Sequence, residues 1–275
     1  MRNQTKQSSL KLKTMKKKHI IPMLLVFVGL TTLSFTLATG VTLRLQPKQG
    51  QTYTATSKTN AMTMIEMQGQ SMNMSQSMEI RQSFNAKTVT ETQSDFETQI
   101  EAIKMSMSQM GMKLEYDSEH PEKTSPMLAG QTKDFEKVLN NPISISYDAT
   151  GHIVGDSIYM NINQLSNVVL ELPEKEVTVG SKWNSKKTQH VNNTEIVVNM
   201  EYTVTAISKK SVDVSFTGTV DSKDVTGTYN GTASIHPQTG MVTASSTKSN
   251  ITMTLNEQGM SLPITIVSTS TIEVK

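Results

Sequence analysis

The chain has 275 residues, of which 36% are hydrophobic and 18% are charged, and its formal net charge is +2. Low charge combined with many β-branched residues argues against a disordered tail and against a helical bundle, whose exposed faces are rich in Glu, Lys and Arg. The small net charge gives no electrostatic reason to expect a nucleic-acid partner, and the absence of cysteine excludes a lipid-modified lipobox.

The first 40 residues, 1–40, have the composition of a targeting segment. Six lysines between positions 6 and 18 form a basic region, and the apolar run 20–37 follows it. This order predicts a secretory signal peptide cleaved near Ala38, with translation starting at Met1 or at Met15. The alternative is an uncleaved single-pass inner-membrane anchor, because the run approaches the roughly 18 apolar residues that span a bilayer. In both cases residues 41–275 are expected in the periplasm or cell envelope, with membrane contact only through this segment.

Beyond residue 40 the dominant hydrophobic period is two, which predicts half-buried β-strands. The alternation is cleanest in two segments that flank the loop 208–210, where the apolar residues occupy even positions. With a three-residue loop, antiparallel pairing places Val204 opposite Val214 and Tyr202 opposite Phe216.

Two short segments instead have the apolar spacing of helices. One is predicted to begin behind an N-cap at Thr132, and the other ends before Pro173. Their apolar residues are Phe135, Val138 and Leu139 in the first segment and Ile158, Ile162, Leu165 and Val169 in the second.

Strand patterns resume after these helices. Gly240 is predicted to supply the turn of a hairpin in 234–242, and the last strand runs from Leu262 to Val274. Long amphipathic strands bury only one face, which helices must then cover. The predicted fold is therefore mainly β: a curved antiparallel meander or open half-barrel with two short helices on its concave face.

A weak internal similarity suggests that the exported domain consists of two related parts. Each part opens on a glycine turn that precedes an aromatic residue, Gly50 before Tyr53 and Gly180 before Trp183. Coincidence between two such turns is the alternative. The two halves would be 41–160 and 161–275.

Several short motifs follow one another along the exported domain. They are Leu43-Arg44-Leu45, Lys48-Gln49-Gly50-Gln51-Thr52-Tyr53, Ile145-Ser146-Tyr147-Asp148-Ala149-Thr150-Gly151, and the junction Leu172-Pro173 with Val177-Thr178-Val179-Gly180-Ser181-Lys182-Trp183. In this order they resemble the DUF6263 family of exported proteins of Bacteroidota, over roughly residues 41–275. The resemblance implies an exported β-rich domain, and the family supplies no activity. Its members often carry a lipobox cysteine, which is absent here.

No motif for catalysis or metal binding is present. None of the five histidines is four residues from another, so the helical zinc pattern His-Glu-x-x-His is absent. The sequence also lacks a Gly-x-Ser-x-Gly elbow, a phosphate-binding loop and a dinucleotide fingerprint. The protein is therefore predicted not to be an enzyme and to have no catalytic residue, cofactor or metal ligand. The single tryptophan, Trp183, is expected to anchor the core or the mouth of the half-barrel.

The methionines form the one unusual constellation. Eleven of the 19 lie between residues 62 and 127, several as Met-x-Met pairs. If Gln68-Gly69-Gln70 is a three-residue turn, period two places the methionines of this hairpin on one face. The expected lining of the concave face is Met62, Met64, Met72, Met74, Met78, Met105, Met107 and Trp183.

Three interpretations of this methionine surface are open. It can line a deformable cavity for a lipid-like or other apolar small molecule or partner, and this is the leading hypothesis for a non-enzymatic envelope protein. It can also be the solid core of a structural or interaction module that binds no ligand, because methionine fills irregular gaps. Met-x-Met pairs can also hold Cu(I), although no His or Cys lies between Met62 and Met112.

Overall fold

The computed structural model describes residues 40–67, 69–155, 168–191, 194–222, 224–257 and 260–275. All of them belong to one compact unit, Leu37–Lys275. The predicted targeting segment and nearly all of the second predicted helix lie outside these ranges. No helix within them is both long enough and apolar enough to cross a bilayer.

Twelve β-strands form one sheet in the described part of the chain, and helices are few. The strands are β1 (Thr52–Met67), β2 (Gln70–Val89), β3 (Gln93–Gln109), β4 (Met112–Asp117), β5 (Ile143–Asp148), β6 (Ile153–Val154), β7 (Lys182–Val191), β8 (Thr194–Ile207), β9 (Val212–Asp221), β10 (Val225–Ile235), β11 (Val242–Glu257) and β12 (Met260–Val274). Two single 3₁₀ turns, Pro121–Lys123 and Pro126–Leu128, precede the helix α1 (Ala129–Val138).

Neighbouring strands pair antiparallel, and the sheet does not close on itself. Their order is β6-β5-β3-β2-β1-β12-β11-β10-β9-β8-β7, and β4 pairs with the second half of β3 beside β5. Two meanders are joined where the first strand pairs with the last, with Ala55 opposite Val274. The predicted fold, a mainly β open half-barrel, is confirmed.

One face of the sheet, called the inner face below, carries the hydrophobic core. At one end of the sheet, called the closed end, the chain segments 41–45 and 168–177 pack on this face and form what we call the plug. Leu43 of the plug is fully buried. Phe96 of β3 and Val214 of β9 belong to the same buried cluster although five strands separate them in the sheet. The sheet therefore curves around the plug, which buries apolar faces that a flat sheet would expose.

Main-chain and guanidinium hydrogen bonds hold the plug in place. The amide of Val242 donates to the carbonyl oxygen of Val168 at 3.1 Å, which ties one plug segment to the sheet. The guanidinium of Arg44 donates to the carbonyl oxygen of Pro173 at 3.0 Å, which ties the two plug segments together. Such bonds are needed because an irregular segment at a buried site must satisfy its own polar groups.

Helix α1 covers the inner face of β2–β4, so the first predicted helix is confirmed. The ring of Phe135 on α1 packs against the ring of Tyr116 on β4, and the two ring centroids are 5.3 Å apart. The predicted N-cap at Thr132 is wrong, because the second 3₁₀ turn runs directly into a helix that begins at Ala129 and leaves Thr132 inside it. The helix covers a second buried cluster formed by Ile80, Ile100, Ile103, Met105, Tyr116 and Leu128.

The hairpin of β8 and β9 has the predicted register. Val204 lies opposite Val214, and the second predicted pair is also present. The predicted three-residue loop is wrong: the loop is 208–211, and a β-bulge after Val204 compensates for the extra residue. Because a bulge turns the following side chain over, Ala206 is exposed where simple alternation would bury it.

The outer face of the sheet carries ion pairs. The carboxylate of Glu119 forms ion pairs with two cations. Nη2 of Arg81 lies 2.8 Å from it, and Nζ of Lys104 lies 2.9 Å from it. The hydrogen bond from Arg81 is the largest cause that lowers the pKa of the Glu119 carboxyl, from 4.5 to about 2. Because the pKa of Glu119 is lowered in the folded protein, its ion pairs stabilise the fold at pH values above the ordinary Glu pKa of 4.5. This stabilisation is lost as the pH falls through about 2. Water screens such exposed pairs, so their effect on stability is small.

Replacing Arg81 with alanine is expected to raise the pKa of Glu119 from about 2 toward its ordinary value of 4.5. The variant loses the principal hydrogen bond while Lys104 remains. An NMR titration of the carboxyl carbon measures this pKa in both proteins. Lys58→Ala breaks the outer-face pair with Glu79 and should leave Glu119 unchanged. An unaltered pKa in the Arg81 variant would contradict the assigned cause.

Candidate functional site

The inner face changes character along the strands. Near the closed end its side chains are buried against the plug and α1. Toward the end that carries the β1–β2, β3–β4 and β11–β12 turns, called the open end, most of them are half-buried, with Ile264 buried. Most outer-face side chains between them are exposed. The open part of the inner face is therefore the candidate site.

The first hairpin places the predicted methionines on two faces, not one. Met67 pairs with Gln70, so the turn has two residues, and Gly69 supplies its left-handed φ of 78°. The predicted turn had three residues, and a shift of one residue moves every side chain to the opposite face. The prediction of a single methionine face is therefore wrong. The inner face receives Met72, Met74 and Met78, and the outer face receives Met62 and Met64.

Met105 and Met107 of β3 do lie on the inner face with the methionines of β2. A β-bulge at Glu101 moves the inner face from the even to the odd positions of β3. Met105 is buried opposite Met78, and the side-chain amide of Gln76 donates to its Sδ at 3.4 Å. The structure thus brings together five of the seven predicted methionines.

Trp183 lies at the closed end of the sheet. Its ring stacks on that of Tyr202 with centroids 5.0 Å apart, and its Nε1 donates to the carbonyl oxygen of Glu171 at 2.8 Å. Since Glu171 belongs to the plug, this bond fastens the plug to β7. Trp183 packs against the first buried cluster, whereas Met78 and Met105 belong with the second.

Four neighbouring strands form an apolar patch at the open end of the inner face. The apolar patch consists of Ile65, Met72, Met74, Ile251, Met253, Ile264 and Ile266. Its residues lie in cross-strand rows, so that Ile65 of β1 lies opposite both Met72 of β2 and Ile264 of β12. None of them belongs to either buried cluster. From standard strand geometry the patch measures about 14 Å across the strands and about 7 Å along them.

A band of hydroxyl groups crosses the inner face between the apolar patch and the closed end. This hydroxyl band consists of Thr59, Thr247, Ser249, Ser268 and Ser270. The Thr59 hydroxyl donates to Oγ of Ser270 at 3.0 Å, and the hydroxyl oxygens of Ser249 and Ser268 are 2.7 Å apart. Because a hydroxyl offers one donor and two acceptor positions, these pairs leave further hydrogen-bonding capacity.

The lysines and the arginine of the strands that form the patch and the band lie on the outer face. Within the described residues, no Lys or Arg lies on the inner face of β1–β5 or β8–β12, and the one acidic residue that the register places there is Glu257, at the end of β11 beside the β11–β12 turn. On the outer face, Nζ of Lys58 lies 3.2 Å from the carboxylate of Glu79. Lys187 of β7 is on the inner face, at the edge of the sheet, where its Nζ lies 3.9 Å from Glu171 of the plug.

An open groove of about 870 Å³ lies against β7–β10. Its exposed side chains are the outer-face residues Asn184, Lys186, Asn199, Glu201, Thr217, Thr219, Thr228 and Asn230. The groove thus presents polar and charged side chains, and it shares no residue with the apolar patch. Among the residues that the structure describes, no three His, Cys, Asp or Glu side chains are placed to hold a metal ion.

The sheet is similar to a part of lipovitellin, in a structure that describes lipid–protein interactions. The similarity covers 83% of this chain and 25% of the lipovitellin chain, with a TM-score of 0.51 and 12% identity. The chain thus spans about a quarter of the length of the lipovitellin chain. At this identity the similarity concerns the fold alone.

Two outer-membrane structures are similar at lower TM-scores. The translocator domain of the autotransporter NalP from Neisseria meningitidis matches with a TM-score of 0.34 and 8% identity, over 83% of this chain and 90% of that chain. An outer membrane channel from Pseudomonas putida F1 matches with a TM-score of 0.27 and 7% identity, over 84% of this chain and 98% of that chain. No protein-family model and no curated protein matches the chain.

Proposed function

We propose that the chain is a non-enzymatic protein of the cell envelope that holds an apolar, lipid-like ligand on the inner face of its sheet. The observation that carries the proposal is the apolar patch, whose large side chains are aligned on four strands yet belong to neither buried cluster. Water contact with such a surface costs about 25 cal/mol per Å² of apolar area, which a ligand would remove. Methionine suits this task because its flexible thioether adapts to the shape of the ligand.

Two further observations support the proposal. The basic and apolar N-terminal segment predicts export, and the resemblance to the DUF6263 family over roughly residues 41–275 agrees with an envelope location. The fold similarity to lipovitellin, whose structure describes lipid–protein interactions, agrees with a lipid-like ligand.

Replacing Met74 with glutamine is expected to weaken binding of the neutral apolar dye Nile red about fivefold or more, because the amide must be desolvated within the patch. Met64→Gln is the matched control. It makes the same change on the adjacent strand, but on the outer face, and should bind the dye like the wild type. Fluorescence titration measures the dissociation constants, and far-ultraviolet circular dichroism shows that each variant is folded. Equal weakening by both variants would place the dye elsewhere.

A structural module with a filled interior would behave differently. Its wild type would bind no dye, and Met74→Ala would cost the ~2–5 kcal/mol of a packed large-to-small change. We expect Met74→Ala to cost less than about 1 kcal/mol, since the side chain is half-buried and outside both clusters. Met105→Ala, in the second buried cluster, should cost the full amount and serves as the internal reference. Comparable large losses in both variants, with no dye bound, would overturn the proposed function.

A further inference from the structure

The distribution of charge over the two faces of the sheet restricts the class of ligand. We propose that the ligand is an uncharged amphiphile, a lipid that carries hydroxyl or ester oxygens and no ionised group. Its acyl chain lies on the apolar patch, and its polar group binds the hydroxyl band. This inference rests on the proposed function, because it names the class of ligand for the same inner face.

The shape of the apolar patch fits an acyl chain that runs across the strands. In that direction the chain contacts four strands over about 14 Å, whereas along a strand it would leave the patch after about 7 Å. One row of the patch holds Met74 of β2 and Ile266 of β12 on the inner face, with Thr63 of β1 between them. An acyl chain in this orientation ends on β11 and β12, beside the hydroxyls of Ser249 and Ser268.

The hydroxyl band is within reach of the polar group of such a ligand. Ser268 is the next inner-face residue after Ile266, and Ser249 is the next after Ile251, so patch and band are one strand repeat of about 7 Å apart. The serine and threonine hydroxyls both donate and accept, which matches an alcohol or an ester oxygen.

An anionic head group would lack a cationic partner at the hydroxyl band. A carboxylate or phosphate at the hydroxyl band would lose water without gaining a cation, which is costly. The lysines next to the band in sequence, Lys58 and Lys248, are exposed on the outer face, and Lys58 is paired with Glu79. A neutral polar group carries no such cost, so the inner face selects for an uncharged lipid.

Displacement of Nile red by lipids with the same acyl chain tests the class of ligand. The competitors are monoolein, oleate and dioleoylphosphatidylglycerol, each below the concentration at which it aggregates. We expect monoolein to displace the dye at concentrations at least about tenfold lower than either anionic lipid.

A lysine introduced beside the hydroxyl band should change the preference for monoolein over oleate if the polar group of the ligand binds there. Gln76 lies on the inner face in the same cross-strand row as Ser268, joined to it through Ala61. Gln76→Lys places a cation beside the band and should improve displacement by oleate about tenfold relative to monoolein. Ser77→Lys makes the same charge change on the exposed outer face and should leave the relative displacement unaltered.

The outcomes separate this inference from the proposed function. If oleate or the phosphatidylglycerol displaces the dye as well as monoolein does, the uncharged ligand is refuted while an apolar ligand site stands. If the folded Gln76 variant keeps the wild-type preference, the band is not where the polar group binds, and the inference also fails. If wild-type protein binds no Nile red, the proposed function itself fails. If circular dichroism shows that Gln76→Lys does not fold, Ala61→Lys in the same row replaces it as the charge variant. The displacement of Nile red from the wild-type protein by the three lipids tests the class of ligand without either variant.

Discussion

Replacing Gly240 with alanine is expected to lower the free energy of unfolding by about 3 kcal/mol or more, because a strained backbone and an overpacked contact add together. Gly240 forms the β10–β11 turn with a φ of 66°. A Cβ atom there would lie 2.3 Å from the carbonyl oxygen of Arg44 and 2.6 Å from its carbonyl carbon. These are main-chain atoms of the plug and cannot rotate aside as a side chain would. Alanine must therefore separate the turn from the plug.

Gly50→Ala is the matched control for this prediction. Gly50 has a similar φ of 77°, but a Cβ atom there would meet nothing within 4 Å. It should therefore cost only the roughly 1 kcal/mol of the left-handed backbone. Urea unfolding followed by the fluorescence of Trp183 measures both values, since that side chain is bonded to the plug. Equal losses in the two variants would show that the plug does not press on the β10–β11 turn.

Phe96→Ala is expected to cost about 3–5 kcal/mol, the range for removal of a fully packed aromatic side chain. Phe96 is 1% exposed at the centre of the first buried cluster. Its ring makes edge contacts with Phe84 and Tyr147 at centroid distances of 6.5 and 5.9 Å. These three rings come from β2, β3 and β5, so the cavity left by alanine would open between three strands.

Met62→Ala is the reference for Phe96→Ala. Met62 lies on the outer face and is 52% exposed, so its truncation should change stability by no more than about 0.5 kcal/mol. Thermal unfolding monitored by circular dichroism compares the two variants with the wild type. A loss below about 1 kcal/mol for Phe96→Ala would mean that the first cluster is not packed as described.

Local sequence patterns were sufficient to predict the type of several elements. Alternation of apolar and polar residues predicted the strands of a mainly β fold, and the pairing of Val204 with Val214 followed from it. Gly240 was predicted to make the turn of a hairpin, which the structure confirms. Helical spacing around Phe135 predicted α1. These predictions succeeded because each depends on which side chains a single segment must bury, a property that is encoded within about ten residues.

Local patterns could not predict on which face of the sheet the methionines of β1, β2 and β3 lie. The side of the sheet on which Met62 and Met64 lie depends on whether the turn at Gly69 has two or three residues, and both lengths are compatible with the alternation. The bulge at Glu101 likewise reverses the faces of β3 without a sequence signal that alternation detects. Errors of one residue in a turn or a bulge therefore exchange inner and outer faces while the predicted strands stay correct.

The sequence by itself thus determined that this chain forms long amphipathic strands with a predicted export segment, because burial of alternate side chains is a local requirement. Only the tertiary structure decided which strands are neighbours. The pairing of β1 with β12 joins residues about as far apart as the domain allows, and together with the β1–β2 hairpin it places Ile65 between Met72 and Ile264. The isoleucines of the apolar patch and the hydroxyl band were missed for this reason. A site assembled across strands is set by long-range pairing and curvature, since the free energy of burying the plug, and not any single segment, selects that arrangement.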